Sequence, residues 1–235
     1  MARIGVDVGG TNTDLVLECA KGVFYHKVPT TLKNQSIGVV DGVQGICRKA
    51  GIAPSDVETI VHGTTVTTNA TLTHTGAKSA LLTTEGVRDA LEMRRGIREE
   101  QYNNRYTNVK PLVPRYLRAG IKGRLDRAGR EVAPLDLAQV REAIALFKQE
   151  DVQAVSICFM NSFANPAHEQ AAAALVRKEM PGAYLSVSTD LLPSIRFYER
   201  ISTTALNSYV GPKLNHYLDQ LVGRLKGIGF HGLLL

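Results

Sequence analysis

Along the first thirty residues, apolar and polar positions alternate. Arg3 to Asp7, Asp14 to Glu18 and Gly22 to Val28 read as three short strands, the first two flanking a tight Gly9-Gly10-Thr11-Asn12-Thr13 turn. The period then lengthens. Ile37, Val40, Val43 and Ile46 recur at helical spacing between Asn34, a residue type that caps helix starts, and Gly51, which ends the pattern. Val57 to Val61 returns to strand, a hydroxyl-rich helix starts within His62 to Thr73, and Ala77 to Leu82 is a further strand. This order of meander, helix, strand, helix, strand predicts the α/β, ribonuclease-H-like N-terminal half of the actin/Hsp70/sugar-kinase superfamily, a mixed sheet with flanking helices.

Alternation resumes after residue 130. Asp136 and Gln139 resemble a capping box, and Leu137, Val140, Ile144 and Phe147 form one apolar stripe. Val152 to Phe159 is a buried strand, Asn165-Pro166 opens a helix running to Glu179, and Tyr184 to Ser188 is another strand. Two helices separated by Gly211-Pro212 fill residues 196–226. The expectation is a second α/β layer. Residues 94–130 are less periodic and rich in Arg, Tyr, Asn and Pro, which suits a lid, a linker or a subunit contact. The predicted division is therefore 1–93 (phosphate-loop subdomain), 94–130 (connecting segment) and 131–235 (α/β continuation). Phe230 to Leu235 reads as a turn entering a buried strand that stops, so the sequence predicts a truncated chain holding half of a nucleotide cleft.

Composition adds exclusions. With 235 residues, 44% of them apolar and 21% charged, the chain has the make-up of an ordinary globular protein. The net charge of +6 raises nucleic acid as a partner, but the arginines crowd one stretch without an aromatic stacking motif, and no nucleic-acid role is expected. A basic mouth attracting anionic substrates explains the same excess. No apolar run approaches the ~20 residues needed to cross a bilayer, and no leader precedes the first strand, so the expected location is cytoplasmic and not membrane-bound. Cys19, Cys47 and Cys158 lie far apart without a metal-binding spacing and read as small core residues.

Two segments carry candidate chemistry. In Asp7-Val8-Gly9-Gly10-Thr11-Asn12-Thr13-Asp14, the glycines allow backbone N–H groups to approach phosphate oxygens, and Thr11, Asn12 and Thr13 add donors. Asp7 would face a magnesium ion through water, with Asp14 as a second carboxylate. The alternative is a hairpin whose glycines serve only turn geometry. In His62-Gly63-Thr64-Thr65-Val66-Thr67-Thr68-Asn69, a strand-to-helix junction would present N–H groups to an anion, making His62, Gly63, Thr64, Thr65 and Asn69 a second phosphate wall. Against that stands a threonine-rich helix start that caps itself, with His62 as a hydrogen-bonded core histidine. Arg94, Arg95 and Arg98 either stabilise a transferring phosphoryl group or belong to a solvated loop. Asp126, Asp136 and Asp151 read as turn or cap residues rather than as a kinase base.

Five ordered segments together carry a family resemblance: the two above, Pro111-Leu-Val-Pro-Arg115, Asn165-Pro-Ala-His-Glu169 and Tyr198-Glu-Arg-Ile-Ser-Thr-Thr-Ala-Leu-Asn207. The chain resembles the N-terminal region of the hydantoinase A/5-oxoprolinase family, which includes ATP-dependent hydantoinases, oxoprolinases and the ATP-binding subunits of acetone and acetophenone carboxylases. The resemblance implies ATP and Mg2+ as cofactors, and phosphorylation of a carbonyl or cyclic-amide oxygen ahead of hydrolysis or carboxylation. It also implies a C-terminal half of the same subunit supplying the adenosine pocket, and a separate hydantoinase B-type partner subunit. Two positions depart from the family pattern: Asn12 stands where Phe is common, and Ser188-Thr189-Asp190 stands where Ser-His-Glu is usual. Competing readings on the same fold are a sugar or acid kinase and an actin-like nucleotide switch without small-molecule chemistry.

Overall fold

The computed structural model describes residues 1–31, 34–97 and 99–235, and these form two compact units. One comprises Met1–Thr75 with Lys213–Leu235, the other Gly76–Pro212. The first opens with strands β1 (Arg3–Val8), β2 (Asn12–Cys19) and β3 (Gly22–Pro29), followed by helix α1 (Gln35–Ala50), β4 (Thr59–Thr64) and α2 (Val66–Leu72). The second contains β5 (Ser79–Thr84), α3 (Ala90–Met93), β6 (Arg118–Ile121), β7 (Arg124–Leu125), β8 (Glu131–Ala133), α4 (Leu137–Gln149), β9 (Ala154–Cys158), α5 (Ala167–Glu179), β10 (Tyr184–Val187) and α6 (Ser188–Leu191). Helix α7 (Phe197–Gly227) begins in the second unit and ends in the first, where β11 (Leu233–Leu234) follows.

The five-stranded sheet of the first unit has the order β11-β4-β1-β2-β3. Strands β1, β2 and β3 form an antiparallel meander, while β4 runs parallel to β1 and β11 parallel to β4. That is the expected mixed, ribonuclease-H-like sheet. Period-two alternation gives it one apolar face: Ile4, Val6, Val8, Leu15, Leu17 and Ile60 are buried together with Val39, Val43 and Ile46 of α1 and Tyr217, Leu221 and Leu225 of α7. Helix α1 is capped as the sequence predicts. The Asn34 side chain accepts from the Ser36 N–H, and Gly51 closes the helix in the left-handed conformation at φ 63°. Ile37, expected in the apolar stripe, is instead exposed. Close approach explains Gly42, where an added Cβ would lie 2.5 Å from a Leu15 methyl.

The second unit holds a four-stranded parallel sheet of order β10-β9-β5-β6, the expected second α/β layer. Every residue of β5 and β9 is buried, and Val140, Ile144 and Phe147 of α4 share their core with Ala172, Ala173 and Val176 of α5. Cys158 lies in this core, where burial pushes its thiol up to about 12. Cys47 is buried in the first unit, and all three cysteines are free.

Five expectations are corrected. Residues 77–82, assigned by sequence to the first subdomain, form β5 of the second sheet, because β5 pairs with β6 and β9 rather than with β4. The division therefore falls after Thr75 and after Pro212, not after residues 93 and 130. The segment 94–130 is only partly a connection: Val113, Leu117, Ile121 and Leu125 are core residues, and the buried Arg118 donates to the Val113 carbonyl at 2.9 Å and to Glu92 at 3.1 Å. Gly211-Pro212 does not separate two helices, since both residues lie inside α7. Finally, β11 is a paired edge strand rather than a buried one: Leu233 donates to the Glu58 carbonyl, Leu235 donates to Ile60 and accepts from His62, and both leucines are more than half exposed. Among the described residues, no helix is long and apolar enough to cross a membrane.

Candidate functional site

The site lies at the carboxyl ends of β1 and β4 in the first unit. The β1–β2 hairpin closes with the Gly9 N–H donating to the Asn12 carbonyl at 3.0 Å. A Cβ on Gly9 would lie 3.0 Å from that same oxygen, so any larger residue there presses on the Asn12 carbonyl. Gly10 differs: its backbone is not left-handed, and nothing lies within 4 Å of an added Cβ.

A residue the sequence reading missed supports this hairpin from behind. Thr30 donates its backbone N–H to the Thr11 carbonyl at 2.9 Å and its hydroxyl to the Gly9 carbonyl at 2.9 Å. Thr30 also meets the buried Thr13 hydroxyl at 3.0 Å. Thr13 is therefore taken up inside the unit, and its proposed role as a phosphate donor gives way to an anchoring one. Thr11 remains exposed and Asn12 half-buried at the hairpin tip.

Register sorts the remaining candidates. Asp7 pairs with Asp14 on one side and with Gly63 on the other, so these three positions share the face of the sheet opposite the apolar core. Lys27, across from Asp14, holds that carboxylate at 3.0 Å, which makes Asp14 an ion-pair partner as well as a neighbour of Asp7. Asp7 forms no ion pair among the described residues. A Cβ on Gly63 would come within 3.8 Å of Asp7 Oδ1, and the glycine leaves that oxygen uncovered.

His62 and Thr64 alternate to the covered face. His62 Nε2 lies 2.6 Å from the Tyr217 hydroxyl, with ring centroids 5.6 Å apart. Burial lowers the imidazole pKa, opposed by the Val6 carbonyl and the Asp7 carboxylate, and burial pushes the Tyr217 phenol up to about 12. The His62 backbone N–H is spent on Leu235. His62 is thus half-buried and engaged through Nε2 with Tyr217, as in the alternative reading, while its Nδ1 has no hydrogen-bond partner among the described residues. The strand continues through Thr64, so the helix start is confined to Thr65, whose hydroxyl contacts the Val8 carbonyl at 3.4 Å and accepts from Asn69 Nδ2 at 3.3 Å. The first-turn N–H groups of α2 have no intrahelical acceptors, and Val66 N–H finds the Thr64 hydroxyl at 3.3 Å.

No group of three or more His, Cys, Asp or Glu among the described residues is arranged to hold a metal. One uncovered carboxylate beside an open glycine suits a magnesium ion that keeps its waters and takes its inner oxygens from phosphates. The arginine candidates belong to the second unit. Arg94 pairs with Glu99 and Arg95 with Glu199, which spends their charge within that unit, while Arg98 lies outside the described residues. Asp126 accepts from the Ala128 and Arg130 N–H groups, and Asp136 caps α4, as their turn and cap readings require.

Residues 3–180 match the family described as hydantoinase/oxoprolinase N-terminal region. The chain is 37% identical over 234 residues to caprolactamase subunit alpha of Pseudomonas jessenii, covering 97% of this chain and 34% of that protein. It is 31% identical over 249 residues to the acetophenone carboxylase gamma subunit of Aromatoleum aromaticum, covering 99% and 34%. The crystal structure of the ATP-dependent caprolactamase from Pseudomonas jessenii superposes with a TM-score of 0.89 over 97% of this chain and 34% of that one, at 37% identity. A nucleotide-free acetone carboxylase structure shares the fold, with a TM-score of 0.84 over 97% of this chain and 34% of that one, at 24% identity. The chain therefore spans about a third of the length of the relatives it matches.

Proposed function

From the premise that this chain belongs to the hydantoinase/oxoprolinase N-terminal family, we propose that it carries the phosphate-binding half of an ATP-dependent site that phosphorylates a carbonyl or cyclic-amide oxygen ahead of hydrolysis or carboxylation. The observation carrying this reading is the uncovered Asp7 carboxylate, which faces Gly63 across the sheet beside the open Gly10 turn. In this reading the backbone N–H groups of Gly10 and Thr11 and the Thr11 hydroxyl meet phosphate oxygens from one side. Thr65 and the first turn of α2 approach from β4. Asp7 orients the water shell of a magnesium ion, which when bound neutralises charge developing on the phosphoryl group. Asp14, tied to Lys27, tempers the local negative charge.

ATP use is supported by the relatives, one of which is an ATP-dependent caprolactamase. The adenosine pocket and the rest of the cleft are assigned to the further length those relatives possess, and a hydantoinase B-type subunit to the assembly, working in the cytoplasm. In the protein of that full length, Asp7→Asn should lower ADP release about 100-fold or more at saturating magnesium, an electrostatic loss on the scale of one removed transition-state contact. Folding should survive, since Asp7 is exposed. Wild-type turnover in a folded Asp7→Asn enzyme excludes the carboxylate from the site.

A further inference from the structure

On the side of the first sheet away from Asp7, the start of α1, one side of α2 and one face of α7 surround a cavity of about 330 Å³. Small-molecule sites run from roughly 300 to 1,000 Å³. The polar groups lining it sort by what they have already spent. Asn34 accepts from the Ser36 N–H at 3.2 Å and from the Ser36 hydroxyl at 2.6 Å, so its amide nitrogen remains a donor. Lys213 donates to the Thr75 hydroxyl at 3.0 Å, and no carboxylate among the described residues lines the cavity beside it. His216 Nε2 accepts from the Gln220 amide at 2.8 Å, which leaves the ring hydrogen on Nδ1. Two acceptors stand against these donors. Asn69 uses its Nδ2 on the Thr65 hydroxyl at 3.3 Å and keeps its side-chain oxygen, while Gln35 Oε1 is enclosed without a hydrogen-bond partner among the described residues. Val66 and Tyr217 are buried and supply apolar wall, the Tyr217 hydroxyl being taken by His62.

We infer that this cavity is a binding site for a short carboxylic acid carrying an amide or amine N–H on the same chain. The carboxylate answers the Lys213 ammonium and the Asn34 amide, because a cation without a neighbouring acid favours an anion. The N–H answers the Gln35 and Asn69 oxygens, and the carbons between lie against Val66 and Tyr217. Inorganic phosphate satisfies only the donors. It would leave Gln35 Oε1 enclosed and unpaired, a cost that a ligand N–H removes. A solvated helix face accounts for Lys213, His216 and Gln220 on their own. It does not account for an enclosed amide oxygen on a different helix, since such atoms are nearly always paired. The inference stands whether or not Asp7, on the opposite face, serves a phosphate site.

An NMR titration of backbone amide signals in the 235-residue chain tests it with three probes. Glutarate monoamide carries both groups, neutral glutaramide lacks the charge, and inorganic phosphate lacks the N–H. The monoamide should bind with a dissociation constant of about 1 mM or tighter and shift the Gln35, Asn69 and Tyr217 signals. Glutaramide and phosphate should each bind at least about tenfold more weakly, and Lys213→Gln should weaken the monoamide about tenfold while leaving glutaramide unchanged. The absence of a saturable shift, or shifts confined to the Gly9 to Thr13 hairpin, overturns the inference. Equal binding of glutaramide or phosphate overturns it too, and that comparison needs only the wild-type chain if the variant fails to fold.

Discussion

The two faces of the five-stranded sheet are built from the same strands, one residue out of step, and they do opposite work. Ile4, Val6, Leu15, Leu17 and Ile60 bury one face under α1 and α7, while Gly5, Asp7, Val16, Val61 and Gly63 leave the other open. Each candidate motif straddles this division. Within His62-Gly63-Thr64, the glycine looks out beside Asp7 while the histidine and threonine look in. Within Thr13-Asp14, the threonine looks in toward Thr30 and the aspartate out toward Lys27. A run of polar residues that reads as one binding segment is therefore two interleaved sets, one anchoring and one presenting.

The widest expected gap between the faces is in stability. Leu15→Ala should destabilise the unit by about 2–5 kcal/mol, because Leu15 fills the contact with Gly42 and leaves a cavity when shortened. The adjacent Val16→Ala should change stability by about 0.5 kcal/mol or less in the 235-residue chain. Denaturant melts of the two variants side by side make the comparison, and similar costs would dissolve the distinction between faces.

Within the hairpin, Gly9→Ala should cost about 1–3 kcal/mol, since its Cβ is forced against the Asn12 carbonyl. Gly10→Val meets no such obstacle and should leave thermal unfolding nearly unchanged. In the full-length protein, however, Gly10→Val should weaken ATP affinity about tenfold, one charge-assisted contact's worth. Measured melting and nucleotide titration of both variants separate a turn glycine from a binding glycine. Intact ATP affinity in Gly10→Val returns the loop to a plain hairpin.

The smallest effect concerns the covered end of β4. Burial lowers the folded-state pKa of His62, so the unfolded chain takes up a proton first as the medium acidifies. The contribution of neutral His62 is complete above the ordinary histidine pKa of about 6.5 and is lost as pH falls from there toward the lowered folded value. His62→Gln should flatten the stability profile on the acid side of about pH 6.5, seen as melting temperature against pH. An unchanged slope in the variant means that His62 titrates as freely as a surface histidine.

Local sequence rules determined a good deal of this protein. Alternation fixed β1 to β3 and the buried set Ile4, Val6, Leu15 and Leu17, because residues two apart must share a face. Capping chemistry fixed the ends of α1 at Asn34 and Gly51 and the start of α4 at Asp136. Asp7 and Gly10 stood out as candidates on the same local grounds: two adjacent glycines in a strand turn signal backbone approach. What the tertiary structure alone decided were matters of partner choice. Strand β5 has the same apolar character whether it joins β4 or β9, and only pairing places it in the second sheet. Thr30 supports the hairpin from seventeen residues beyond Thr13, and Tyr217 reaches His62 from 155 residues away, separations that carry no local periodic signal. Pro212 reads as a helix breaker in isolation, yet the helix runs through it, since a proline costs only a few kcal/mol. Packing along thirty-one residues of α7, with Ile201 and Ala205 in one core and Tyr217, Leu221 and Leu225 in the other, outweighs that cost.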